Sequence, residues 1–172
     1  MATLATVIID EKNGAPAGAD TTATNSNMGI TDSPNLTPIL ADAIPAGTNS
    51  MEKYQRVRVT VNGDSNVIQG IRIWRTGTLG GADVHLCNCK TSAYAGAAVY
   101  ASPAVATSSK AINAMPTSDP GATNLGIGGS LTGTISTTGY SDYLVHQIQV
   151  GAGTTAGPAS ANTMYYQYDE IA

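Results

Sequence analysis

Between Tyr54 and Val61 the chain alternates without a break: Val57, Val59 and Val61 hold one parity, Arg56, Arg58 and Thr60 the other. Successive side chains of an extended strand point to opposite faces, so this pattern writes a half-buried β-strand and no other regular element. The same reading predicts strands at Thr3–Asp10 (an edge strand), Val67–Arg75, Asp83–Cys89, Ala97–Ala101, Tyr140–Val150 and Met164–Asp169. No window carries capped helical periodicity; Ser109–Met115 has room for one or two helical turns at most. Short strands separated by Gly, Pro and Asn define an all-β chain, an antiparallel β-sandwich or jelly roll. One pair of short strands is also expected around Leu125–Ile135.

Asn62-Gly63-Asp64-Ser65 reads as a hairpin turn joining the strands at 54–61 and 67–75. An odd loop sets the three valines beside Val67, Ile71 and Ile73, which matches apolar with apolar. A three-residue loop then places Arg56 opposite Arg72 and Tyr54 opposite Trp74, on one outer face that also carries Arg58. All four arginines (Arg56, Arg58, Arg72 and Arg75) fall within this region of an acidic chain of net charge −4. Like charges directly across a sheet repel, so a carboxylate is expected nearby, from this chain or another. The C-terminal strand sends Met164, Tyr166 and Tyr168 to one face and Tyr165 and Gln167 to the other.

Residues 11–49 have no period and are broken by Gly14, Pro16, Gly18, Gly29, Pro34, Pro38, Pro45 and Gly47. Structureless loops beyond about 12–15 residues are uncommon in compact domains. The segment therefore hides short strands such as Thr37–Ala41, or forms a long irregular N-terminal arm that orders against a partner, or is disordered. The expected division is an N-terminal strand with an extended arm over 1–49 and a β-sandwich over 50–172.

Composition bears on function. Ala, Thr, Ser and Gly make up 79 of 172 residues, only 12% are charged, and Phe is absent. Charge is what interface cores exclude, so such a surface suits assembly contacts. The acidic balance lacks the basic field of a nucleic-acid binder, and no apolar stretch is long enough to span a membrane as a helix. Met1–Asn13 lacks the basic start and the apolar length of a signal peptide. Cys87 and Cys89, two apart, are expected as free thiols in a protein made in the cytoplasm.

Candidate chemistry is thin. His85, Cys87 and Cys89 share a strand parity and with His146 could form a tetrahedral zinc site, though the Cys spacing is wrong for a metal knuckle; small buried thiols and ordinary histidines are the plainer expectation, with no metal and no cofactor. Ser141, Asp142 and His146 lack the nucleophile elbow of a hydrolase. Gly126, Gly128 and Gly129 read as a tight turn, since no Lys-Ser/Thr pair follows. The carboxylates of Glu11, Glu52 and Glu170 are the scarce glutamates from which a glycosidase pair would have to draw. No catalytic residue is assigned, and the chain is expected not to be an enzyme.

The run Ile44-Pro45-Ala46-Gly47-Thr48-Asn49-Ser50-Met51-Glu52-Lys53-Tyr54, the motif Ile71-Arg72-Ile73-Trp74, and the segments Ser141-Asp142-Tyr143-Leu144-Val145 and Tyr166-Gln167-Tyr168-Asp169-Glu170 resemble small β-rich virion proteins of tailed bacteriophages. The resemblance implies a structural role: a capsid decoration or cement protein on the major capsid protein lattice, or a tail, neck or baseplate component. It carries no catalytic residues. The expected location is the virion, the expected state a homo-oligomer (dimer or trimer), with no nucleic-acid or membrane partner. Arg and aromatic residues are enriched at interface hot spots, which nominates Arg56, Arg58, Arg72, Trp74, Tyr54 and Tyr165 as the assembly surface. A carbohydrate-binding module stacking sugars on Trp74 and Tyr54 is the alternative from another class.

Overall fold

The structure is a computed structural model that describes residues 3–13, 20–37, 40–64, 67–90, 111–112, 114–154 and 161–172. It is an antiparallel, all-β fold. Among the described residues nine strands follow in order: β1 (Thr6–Glu11), β2 (Thr21–Thr22), β3 (Lys53–Val61), β4 (Val67–Thr76), β5 (Val84–Lys90), β6 (Ala111–Ile112), β7 (Gly139–Tyr140), β8 (Tyr143–Gln149) and β9 (Thr163–Ile171). Seven form one sheet in the order β2-β1-β3-β8-β5-β6, with β7 also on β3; β4 and β9 form a second, two-stranded sheet. These unequal layers make a sandwich and not the two matched sheets of a jelly roll. The strand expected at Ala97–Ala101 lies outside the described residues, and Ala111–Ile112 pairs with β5 where a helical turn was allowed for.

The core lies between the sheets. Val57 of β3, Ile71 and Ile73 of β4, Cys87 and Cys89 of β5 and Leu144 of β8 are fully buried together, with Met164, Tyr166 and Tyr168 of β9 packed against them. The valine-to-isoleucine match read from the sequence holds for Val57 with Ile71 and Ile73, but it is made across the core; Val59 packs with Ile68, and Val61 is exposed. The expected β3–β4 hairpin does not form. Both edges of β3 are occupied, one by β1 and the other by β7 and β8, so β4 leaves the sheet and pairs with β9. The turn at Asn62–Asp64 instead docks on the start of the chain: the Asp64 amide donates to the Thr3 carbonyl, and the Asp64 carboxylate accepts from the Thr3 amide.

A bulge between Gln69 and Arg72 changes the facing of β4. Strict alternation would send Ile68 outward with Arg72 and Trp74; instead Ile68, Ile71 and Ile73 are all buried. Gly70 makes this possible with φ +65°, and a Cβ there would stand 2.6 Å from the Asp169 carboxylate. This is the work of a left-handed bulge residue.

Residues 20–37 and 40–52 pack on the sheet of their own chain and are not a free arm. Asn35 ties them down: its side chain accepts from the Thr24 and Asn25 amides and donates to the Thr22 carbonyl, and its own amide donates to the Glu11 carboxylate. Leu36 is buried, and the Met51 amide bonds the Gly29 carbonyl. Of the strand expected at Thr37–Ala41, residues 38–39 lie outside the described residues, and Leu40–Asp42 form a 3₁₀ turn. β1 pairs with β3 along its length, while the two-residue β2 covers only Asp10 and Glu11, so most of β1 stands at the sheet edge as expected; the boundary expected at 49/50 falls between strands of one sheet.

Candidate functional site

The six nominated residues do not share a face. Tyr54, Arg56 and Arg58 lie on the outside of the seven-stranded sheet; Arg72, Trp74 and Tyr165 lie on the outside of the two-stranded sheet, with the whole core between them. The missing hairpin is the reason, since only side-by-side pairing would have merged the two sets.

On the large sheet the side chains are consumed internally. Tyr54 is buried against Tyr143 and Val145, and its hydroxyl donates to Glu52 and accepts from Lys90. Arg56 pairs with Asp20 and lies 3.5 Å from the ring centroid of Tyr140, with Tyr143 on another side. Arg58 pairs with Asp10. The expected carboxylates thus come from this chain. Beside Arg58, with Val59, Thr60, Thr138, Gly139 and Tyr140, lies an open hollow of about 270 Å³, below the ~300–1,000 Å³ of a usual ligand cleft.

The small sheet is different. Trp74 and Tyr165 are directly paired across β4 and β9, and their rings stack at 5.0 Å, 4° from parallel. Tyr165 remains 40% exposed. Arg72, one inward–outward step away, reaches both oxygens of Asp119 at 2.9 Å. A flat aromatic pair flanked by a bidentate ion pair forms the exposed face. Trp74 and Tyr54 are on opposite sides of the protein, so the expected sugar platform is not assembled, and one face of the indole is already covered by Tyr165.

A second cluster is internal. Glu11, Lys53, Gln55, His146, His85 and Tyr166 meet at one end of the core. Lys53 Nζ stands 2.6 Å from Glu11, both side chains essentially buried. Gln55 donates its amide to Glu11 and accepts the Tyr166 hydroxyl at 2.9 Å. His85 Nε2 and His146 Nδ1 are 2.9 Å apart, and His146 Nε2 lies 3.5 Å from the Tyr166 hydroxyl. Donor and acceptor counting orders the chain: His85 donates to His146, His146 to Tyr166, Tyr166 to Gln55, and Gln55 to Glu11. Both imidazoles are neutral in this arrangement. Burial lowers the pKa of His85 to about 4, with Arg75 adding to the effect. Burial, then His85 and Lys53, push His146 well below its ordinary value. Burial likewise raises Cys87 and Tyr166, so neither ionises near neutrality.

This network places the residues weighed for metal binding. Cys87 lies across from His146, but Cys89 turns its thiol toward the Asn124 carbonyl at 3.5 Å. Both cysteines are free thiols. Among the described residues no three His, Cys, Asp or Glu side chains converge as metal ligands would. Ser141 bonds the Val57 amide and donates to the Asp142 carbonyl, while Asp142 receives the Gly129 amide; neither approaches His146 as a triad would. Gly128 and Gly129 both have positive φ, in keeping with a tight turn. Sequence reasoning missed Asp119, Asp20 and Tyr140 as partners of the arginines, and the Glu11–Lys53 pair. Nothing local marks them, because each partner is brought in by long-range pairing.

No protein-family model, curated protein or solved structure matches this chain. The fold and the site define a class: an all-β two-layer sandwich with an internal polar network and an exposed aromatic face.

Proposed function

We propose that the chain is a non-enzymatic structural protein of a phage virion, a decoration or cement protein that binds the major capsid protein lattice and stabilises the shell. The observation that carries this reading is the stacked Trp74–Tyr165 pair beside Arg72 on the outside of the small sheet. Large rigid aromatics and Arg are the side chains that anchor protein interfaces, and here they stand out on a chain in which only 12% of residues are charged. The likeness to virion proteins noted in the sequence supplies the partner. The proposed contact uses this face; Arg56 and Arg58 pair with Asp20 and Asp10 of the same chain, and residues 20–37 and 40–52 pack on their own sheet. A protein that binds only the assembled shell stabilises it by mass action.

The test is to mix purified protein with undecorated capsids and to measure co-sedimentation together with shell melting. Binding with a raised melting temperature, both reduced by Trp74→Ala and by Tyr165→Ala, is the expected result. An absence of binding, or binding that leaves shell melting unchanged, overturns the reading.

A further inference from the structure

β9 has one edge on β4; the direction of its other backbone groups follows from β4. The Ile71 carbonyl, both backbone groups of Ile73 and the Arg75 amide bond to Leu125, Asn124 and Pro116, on the side away from β9. Adjacent residues of a strand direct their N–H and C=O to opposite edges. Arg72, Trp74 and Thr76 therefore face β9, where they meet Gln167, Tyr165 and Thr163. The intervening residues Met164, Tyr166 and Tyr168 must direct their backbone groups to the other edge. Among the described residues none of those groups has a partner. The far end of this edge is attended by Ala5, whose amide donates to the Glu170 carboxylate.

Exposed edges are normally blunted by Lys, Pro, bulges or extreme shortness. β2 and β6 are two residues each, and the outer edge of β4 is bonded to residues 116–135. Thr163–Tyr168 has no charge, no Pro and no Gly.

We infer that this edge is a self-association site, and that its occupant is β9 of a second copy of the chain, paired antiparallel about Tyr166. In that register Tyr166 faces Tyr166, and Met164 of each copy faces Tyr168 of the other. The three open residues of each chain are all used, giving about six inter-chain hydrogen bonds. On the outer face Tyr165 lies across from Gln167, and Asp169 lies across from Thr163. No carboxylate faces another, whereas a register centred on Asp169 would oppose two directly, which is destabilising. The two small sheets become one of four strands, with the Trp74–Tyr165 stacks on the same side. The contact requires no capsid and stands or falls independently of the proposed function.

The test uses the full chain alone. Mass is followed by light scattering and sedimentation across the widest concentration range that solubility allows, with residue-resolved amide exchange at both ends. The expected result is a concentration-dependent dimer in which the Met164, Tyr166 and Tyr168 amides become protected, while those of Tyr165 and Gln167 are protected throughout. Thr163 is exposed, so it can be changed without touching the core. Thr163→Glu, which sets a carboxylate against Asp169 of the second copy, is expected to weaken the dimer about tenfold, and Thr163→Lys to tighten it. A single-chain mass throughout overturns the inference, as does a dimer in which those three amides stay unprotected. Equal effects of the two Thr163 variants overturn the register.

Discussion

Acidification should loosen this protein through its two buried histidines. His85 is drawn from an ordinary value of 6.5 to about 4. In the unfolded chain it takes up a proton as the pH falls through 6.5; in the folded chain it resists until about 4. The unfolded state therefore binds more protons across that window, so stability falls as the pH is lowered through it and is fully present above it. At 1.36 kcal/mol per pKa unit, the loss from His85 is roughly 3 kcal/mol. His146 acts in the same direction: burial, then His85 on β5 and Lys53 on β3, disfavour its charged form, and the lone pair that would accept a proton already accepts the His85 N–H. Tyr166 on β9 and Arg75 on β4 close the site, and neither offers a negative charge; Glu11 on β1 is already held by Lys53. Glu52 works in the opposite sense: its pKa is raised chiefly by burial, so its contribution falls as the pH rises. A loss of 3 kcal/mol is a large part of the ~5–15 kcal/mol that holds a domain, and corresponds to a fall of roughly 6–12 °C in Tm. Thermal melting at steps from pH 7 to 4, in wild type and in a His85→Gln, His146→Gln variant, measures it. A Tm that stays flat through the window refutes the reasoning, as does an equally steep fall in the variant.

The remaining predictions concern the frame that holds this site. Lys53→Met leaves the buried Glu11 carboxylate without its ion partner and should cost about 3–5 kcal/mol by urea unfolding, whereas replacing both residues with apolar ones should cost much less. Gly70→Ala demands a left-handed backbone from alanine and places a methyl 2.6 Å from Asp169; a loss of about 1–3 kcal/mol is expected, and a neutral result would deny the bulge. Asn124→Ala removes the side chain that bonds both backbone groups of Ile73 at 2.8 and 2.9 Å, and should lower stability by about 1–3 kcal/mol while accelerating exchange of the Ile73 amide.

Much of the local structure was legible. The Val57-x-Val59 alternation located β3 to within a residue, and the tyrosine alternation of β9 set Met164, Tyr166 and Tyr168 on one face and Tyr165 on the other; the first set is the one that packs on the core. The β4 reading failed at Ile68, because a single glycine bulge shifts parity without disturbing the apolar content that periodicity detects. The candidate site suffered more. Six residues assigned to one surface proved to lie on two, because turn chemistry at Asn62–Asp64 is the same whether the chain returns beside β3 or crosses to another sheet.

Sequence alone was sufficient for the all-β class and for the longer strands β3, β4, β5 and β9, since alternation depends on neighbours two residues apart; the short strands β2 and β6 and the break between β7 and β8 carry no such signal. Tertiary structure decided which strands are neighbours, which carboxylate neutralises each arginine, and that His85, His146 and Tyr166 form one relay. Those outcomes rest on competition among sheet edges and on contacts such as Arg72–Asp119 and Gln55–Tyr166, between residues far apart in the chain. Hydrophobic matching says that Val57 and Ile73 belong together; only the occupancy of both edges of β3 decides that they meet face to face across the core.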